Sequence, residues 1–384
     1  MLILGVNMLL VDYFFAVRRN RMFKSFERNL KWVLLLSQLV WLSACTNLPY
    51  YAQAVNGQWE LMRRSQSIDT VLADPATEPK LRHALGKVTE IRNFASQELK
   101  LPDNSSYTRY ADLQRPYVVW NVFAAPELSL KLKEWCFLQV GCVKYRGFFS
   151  QTDAERYAAE LRQQGFDVHV GGIRAYSTLG WFSDPVLNTF IDYSEMNLAR
   201  LIFHELAHQV VYVQDDTTFN ESFAAAVELE GVRRWFERRG TTLEQATLRN
   251  RQEREAAFTA LVFKYRKELQ ILFQSEMGEL EKRAGKQRIL EALREEYQHL
   301  KTDKPDFAVY DAWFAQPLNN AVLATVSIYT QLLPAFQAIL RQHDHDMEKF
   351  FAAVNELSRL DKTERGLRLQ QAAEAQKQWM SAER

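Results

Sequence analysis

From residue 186 to residue 304 this chain carries no proline, and glycine occurs there only at 231, 240, 278 and 285. Proline removes a helical hydrogen bond and clashes with the preceding turn, so its absence over such a length leaves long helices as the main solution. The later part of the run, about 242–303, is dense in Glu, Arg, Gln and Leu. No clean heptad persists in it. The pattern therefore predicts a solvated helical arm, either one long helix or a hairpin turning near Gly278–Gly285, rather than a dimerising coiled coil. Residues 306–384 are again helical in pattern, with a charged and frayed tail after Lys362.

Upstream, residues 49–67 and 78–99 have apolar spacing near that of a helix, with a turn at Asp74-Pro75 between them. Residues 100–116 are rich in Pro, Asn, Asp and Ser and form a loop. Residues 117–124, 128–138 and 142–149 alternate or favour strands. A helix over 152–164 closes at Gly165, a C-terminal cap. Residues 166–170 and 173–179 then read as two strands flanking Gly171-Gly172. The expected fold class is α+β and predominantly helical. It comprises a core at 45–240 with a small mixed sheet, the arm at 241–305, and a C-terminal helical part at 306–384 that completes a cleft.

The first 44 residues read as an address. Lys24, Arg28 and Lys31 lead into an apolar run at 32–42, eleven residues long. That suits a signal-peptide core of roughly 7–15 residues. No apolar run reaches the roughly 20 residues of a spanning helix. Leu42-Ser43-Ala44-Cys45 resembles the lipobox of bacterial lipoproteins. The resemblance implies that Cys45 is lipid-modified and becomes the mature N-terminus in a bilayer; ordinary secretory cleavage nearby is the alternative. Thr46, where retained lipoproteins carry aspartate, leans toward the outer membrane and the periplasm. Residues 1–21 precede a better start at Met22 and suggest an over-long gene model, the alternative being a short membrane-inserted arm. Losing the leader removes six basic and two acidic residues, which turns a formal charge of +1 into −3 and leaves 340 of 384 residues. Neither balance suits a nucleic-acid binder.

Within the proline-free run stands His204-Glu205-Leu206-Ala207-His208. Residues i and i+4 share a helix face, so both imidazoles can address one ion. Glu205 points to a neighbouring direction, from which it can take a proton from an activated water. Zinc suits such a site because it accepts nitrogen and oxygen ligands and can keep one position open. Thirteen residues after His208 comes Glu221, in Asn220-Glu221-Ser222-Phe223-Ala224.

The segments HELAHQ (204–209) and NESFA (220–224) resemble the two signatures of gluzincin zinc metallopeptidases. They are most similar to those of aminopeptidase N-type enzymes, whose second motif is an NEGFA run. The resemblance implies a gluzincin-like catalytic core, with zinc held by His204, His208 and Glu221 and with Glu205 as general base. The interval between the motifs is shorter than in aminopeptidase N, which implies a tighter connection and another branch. With its lipobox, the Trp135-Cys136…Gly141-Cys142 segment and Asn319-Asn320-Ala321, the chain resembles a bacterial group of lipoprotein aminopeptidases.

Gluzincins bind peptide on an edge strand ahead of the motif helix. Residues 173–180 are the candidate strand here, with Ala175, Tyr176 and Ser177 at its centre; an ordinary buried strand is the alternative. Aminopeptidase N-like enzymes carry an amine-binding glutamate there, but no glutamate lies between Gly165 and Glu195. An endopeptidase, an oligopeptidase or another amide hydrolase therefore stays open beside the aminopeptidase, as does a silent envelope scaffold. Tyr329 is the first choice for the oxyanion donor, with Tyr310 and Tyr265 as rivals. Asn319-Asn320 caps a helix or lines the cleft. His343-Asp344-His345-Asp346 reads as a solvated helix start, and Asp184 before Pro185 as turn chemistry. His83, His169 and His299 have no ligand-spaced partners. Cys45 leaves Cys136 and Cys142 as a pair that an oxidising periplasm would join.

Overall fold

The structure, a computed structural model, describes residues 48–137, 141–239 and 242–382. Cys45 and the leader lie outside the described residues. The chain divides into two units, Met1–Gln58 and Trp59–Arg384. The described part of the first is helical, the start of α1 (Leu48–Arg64). All that follows concerns the second.

Among the described residues, three small sheets frame the helices. β1 (Gln66–Ser67) pairs antiparallel with β2 (Arg109–Ala111), which pairs parallel with β8 (Val186–Leu187). In the second sheet β3 (Val119–Pro126) is central. β6 (Arg146–Phe148) and β7 (Phe166–Ile173) flank it, both antiparallel, and β3 pairs with β7 from Val119↔Ile173 to Pro126↔Phe166. β4 (Trp135–Phe137) and β5 (Gly141–Val143) make a hairpin with Cys136 opposite Cys142, and the two are joined by a disulfide. Among the described residues, strand structure in 128–138 is thus confined to β4.

The two strands expected around Gly171-Gly172 are one strand, β7. Gly172 is not a break. A side chain there would meet the Tyr117 ring at 2.6 Å, so the glycine admits the ring while the ladder continues. The strand expected over 173–179 is not formed. After Ile173 the chain leaves the sheet, and Ala175, Tyr176 and Ser177 lie in the irregular segment that prolongs edge strand β7.

The principal core joins α2 (Ile68–Ala73), α3 (Pro79–Gln97), α5 (Glu195–Ala207), α6 (Thr217–Arg239), α11 (Leu333–Gln342) and α12 (Met347–Ser358). α4 (Gln151–Gln163) packs on the β3 sheet, with Gly165 in the left-handed conformation after it. α5 buries Leu198, Ile202, Leu206 and Ala199, Phe203, the two rows of an amphipathic helix. α6 is buried nearly all round, from Phe219 to Phe236, because it passes through the centre of this core. Gly231 lets it approach α5: an added side chain would meet Phe203 at 2.6 Å.

The arm is a hairpin of α7 (Thr242–Gln274) and α8 (Glu279–Asp303). It turns just before Gly278, and Gly285 lies within α8, where it accommodates Leu272. A separate apolar cluster closes the arm against a 3-10 turn (Pro305–Tyr310), α9 (Asp311–Ala315) and α10 (Asn320–Thr330). Tyr297 stacks on Phe314 at 3.7 Å and Phe258 on Tyr310 at 4.1 Å. Residues Asn320–Gln342 are apolar and long enough to cross a membrane, yet about half of that stretch is buried in the fold. The C-terminal tail is not frayed at its start. α13 (Lys362–Ala382) buries Leu369, and its buried Arg365 pairs with Asp216 at 2.9 Å.

Candidate metal centre

Two helices and the short loop between them build the centre. Ser194 starts α5 by accepting a bond from the Asn197 amide. The helix ends at His208, which places His204, Glu205 and His208 along its last turn. The chain returns through residues 209–216 into α6. Asn220 closes this loop: its buried carboxamide accepts from the Val213 amide and donates to the Val213 carbonyl, both at 2.8 Å. Asp216 accepts from the Phe219 amide and is held in turn by Arg365. The asparagine beside Glu221 thus fixes how the first turn of α6 faces the end of α5.

The result is convergence. Ligand atoms of His204, His208 and Glu221 all lie within 4.8 Å of one another. Glu221 Oε2 stands 3.2 Å from His204 Nε2 and 3.7 Å from His208 Nε2. Two atoms bound tetrahedrally to zinc at roughly 2.0–2.1 Å would stand about 3.3 Å apart, so the spacing fits one small ion. Two imidazole nitrogens and one carboxylate oxygen are a donor set compatible with zinc. His208 Nδ1 is buried without a hydrogen-bond partner among the described residues, leaving only Nε2 engaged, by Glu221. Among the described residues this is the one such cluster, and His83, His169 and His299 belong to none.

The surroundings favour a cation. Burial raises the Glu221 carboxyl, but His208 and His204 outweigh it and hold it far below the ordinary carboxylate range. Burial also opposes charge on His204. Glu221 and Glu228 overcome that and raise its pKa well above the imidazole value, so a bound metal would take the place of this proton. Glu205 is raised, chiefly by burial and partly offset by His204 and His208.

Sequence inspection missed the support behind His204. Glu228, two helical turns after Glu221 on α6, stands with Oε2 3.1 Å from His204 Nδ1. Its other oxygen accepts from Arg200 Nε, and Arg200 reaches Glu255 of the arm at 2.6 Å. A carboxylate behind a metal-binding imidazole fixes the ring and raises its basicity. Glu228→Gln is expected to weaken metal affinity about 10–100-fold, measured by competition with a chromophoric chelator. Unchanged affinity would make Glu228 a packing residue.

The tyrosines divide. Tyr265 donates to Glu296 at 2.6 Å inside the arm and Tyr310 stacks on Phe258 there, so neither rival is at the centre. Tyr329 is in α10, and its side chain lies outside what the structure describes. Tyr145, in the turn between β5 and β6, was not singled out. Its hydroxyl takes no hydrogen bond among the described residues. Burial, then Glu221, Tyr212 and Glu205, push its phenol well above the usual range, so it lies within electrostatic reach of the centre. Two contacts hold this turn: Lys144 Nζ donates to Thr218 Oγ1 at 2.7 Å, and the Cys142 amide donates to Asp215.

Tyr176 meets Phe149 edge-on at 5.5 Å and is a neighbour of Tyr145. Asp184 is the turn residue its Asp-Pro context implies. It accepts from the Thr178 amide and hydroxyl and from Ser177, pinning the loop after β7. Burial pushes its carboxyl up to about 6, with the Thr178 bonds opposing and Glu205 adding to the rise. Asn319 caps α10 by accepting from Val322, and Asn320 donates to the Pro126, Glu127 and Ser129 carbonyls. Asp346 caps α12.

Compared with known families, residues 49–369 match the model of a family described as putative aminopeptidases. The chain belongs to that family. The aminopeptidase-family match runs from α1 into the first turns of α13 and encloses the whole centre, and it supports peptidase-type, hydrolytic function. No curated protein and no solved structure gives a significant match.

Proposed function

We propose that this protein is a zinc-dependent peptidase of the gluzincin type, an aminopeptidase, anchored through a lipid on Cys45 and facing the bacterial periplasm, at the outer membrane. The convergence of His204, His208 and Glu221 beside an unligated Glu205 carries the proposal. Zinc held by these three would supply a Lewis acid for a peptide carbonyl and lower the pKa of water toward about 7.

The residues of the chain do the rest. Glu205, whose carboxyl burial raises, takes the proton of the attacking water and returns it to the leaving amine. Glu228 and Arg200 hold the His204 ring. A tyrosine hydroxyl donates to the oxygen that gains charge. Tyr145 joins Tyr329 as a candidate because Glu221 and Glu205 are its charged neighbours. Tyr145→Phe is expected to lower kcat about 10²–10³-fold with KM little changed. A kcat within twofold of wild type would return that role to Tyr329. Edge strand β7 and its continuation through Ala175, Tyr176 and Ser177 would hold the substrate backbone.

One observation favours the endopeptidase or oligopeptidase alternative. Asp184, the carboxylate of that loop, is buried and already accepts three donors, so it is not free to take an α-amine. A digest of a defined peptide mixture, read by mass spectrometry, tests both points. Zinc-loaded protein is expected to shorten peptides stepwise from free N-termini. Internal cuts would make it an endopeptidase, and intact peptides would remove the peptidase reading.

A further inference from the structure

A polar seam leaves the metal centre and ends on the arm. Asn197, Arg200 and His204 share one face of α5, spaced three and four residues apart. Glu228 of α6 serves two of them, with Oε2 3.1 Å from His204 Nδ1 and Oε1 accepting from Arg200 Nε. The other side of the same guanidinium reaches the arm: Arg200 Nη1 donates to Glu255 Oε1, on α7, at 2.6 Å. Arg251, one turn earlier on α7, donates to that oxygen at 2.8 Å and to Asn197 Oδ1 at 2.6 Å. Three helices thus meet in one continuous set of charge-assisted bonds, and a metal-binding imidazole stands at its end.

The links act together because they are shielded from water. Arg200 and Glu228 keep only 21% and 12% of their side chains exposed. A buried charge that loses its partner is strongly destabilising, so neither can release the other freely. Glu228 is a single carboxylate with two donors, His204 and Arg200. What it gives His204 depends on how far Glu255 satisfies Arg200. Without Glu255 the guanidinium has Glu228 as its remaining carboxylate and draws it away from the imidazole. The His204 ring is then less firmly oriented and less basic, and both changes weaken a metal bond.

We infer that Glu255 is a positioning residue of the metal centre, and that the arm sets how tightly the centre holds its ion through the series Glu255, Arg200, Glu228 and His204. This rests on the proposed zinc centre of His204, His208 and Glu221, and not on peptide cleavage. Linkage makes the effect reciprocal: an ion held better with the root of the arm in place must in turn hold that root in place.

Zinc binding tests the inference without turnover. Glu255 is the most exposed of the three charged links, at 34%, and glutamine keeps its size, so Glu255→Gln is the variant best able to fold. Its zinc Kd, from competition with a chromophoric chelator, is expected to rise about three- to tenfold, a coupling typical of residues that touch no ligand. Arg200→Lys keeps the charge but replaces the fork that spans two carboxylates with one ammonium, and should weaken zinc at least as much. In a Glu228→Gln background, adding Glu255→Gln should change Kd by less than twofold, because the route to His204 is already cut.

The same loss in both backgrounds would mean that Glu255 acts on the ion through space or through packing, and would overturn the relay. An unchanged Kd in Glu255→Gln or in Arg200→Lys would do the same. Zinc should also slow amide hydrogen exchange across residues 248–258 of α7 in the wild-type protein and not in Glu255→Gln. Exchange there that ignores zinc in the wild type would contradict the reciprocal coupling. A wild-type protein that takes up no zinc would remove the metal reading and the relay together, whereas zinc uptake that Glu255→Gln leaves untouched would remove the relay alone.

Discussion

Glu205→Gln will lower kcat/KM on a cleaved peptide by about 10²–10⁴-fold while zinc stays bound. Glutamine keeps the shape of the side chain and one acceptor oxygen but cannot take a proton. Glu205 lies one residue from His204 on α5 yet outside the set of converging ligand atoms, so its loss leaves the metal's donors intact. Burial raises its carboxyl, and His204 and His208 restrain the rise. A carboxyl raised in this way is a better proton acceptor than an ordinary carboxylate. Metal content measured with the kinetics separates the roles. A variant that loses zinc would show Glu205 to be a ligand, and one with unchanged kcat/KM would take it out of the chemistry.

Glu221→Ala acts on the other half of the centre. It removes the only oxygen donor, which stands 3.2 Å from His204 Nε2 and 3.7 Å from His208 Nε2. Two imidazoles alone leave a tetrahedral ion half-open. Affinity is expected to fall by more than about 100-fold, beyond the range for outer-shell changes. The readout is thermal. Saturating zinc at about 100 times Kd stabilises a folded protein by about 2.7 kcal/mol. Wild-type protein should show that rise in melting temperature, and Glu221→Ala should show almost none at the same zinc concentration. An equal rise in both would place the ion elsewhere.

The parts legible in the sequence are those set by local periodicity. His204 and His208 share a face because they are four apart, and Glu221 opens a helix whose pattern is plain. The long arm followed from the absence of proline. What escaped was set by tertiary contact. Glu228 falls at helical spacing from Glu221, but on the page it is one acid among many, and only the packing of α6 on α5 aims it at His204.

Tyr145 comes within electrostatic reach of Glu221 because the disulfide hairpin is pinned to the segment that opens α6, a pairing of distant segments. The supposed break at Gly171-Gly172 was misleading for a related reason. The glycine serves the Tyr117 ring, not a turn. Beyond it, Ser177 and Thr178 turn inward to Asp184, so a run that alternates like a strand leaves the sheet. The tail after Lys362 carries charge, yet one of those charges, Arg365, is buried against Asp216 and fastens the helix to the loop that leads to Glu221.

The central claim is that His204, His208 and Glu221 are one zinc centre. X-ray absorption at the zinc edge of the loaded protein tests it most directly. The expected spectrum has two imidazole nitrogens at about 2.0–2.1 Å and carboxylate or water oxygen at about 2.0–2.2 Å, four donors in all. Loss of the imidazole scattering in the His204→Ala, His208→Ala double variant would complete the assignment. A zinc shell without imidazole, or one unchanged in that variant, would contradict it.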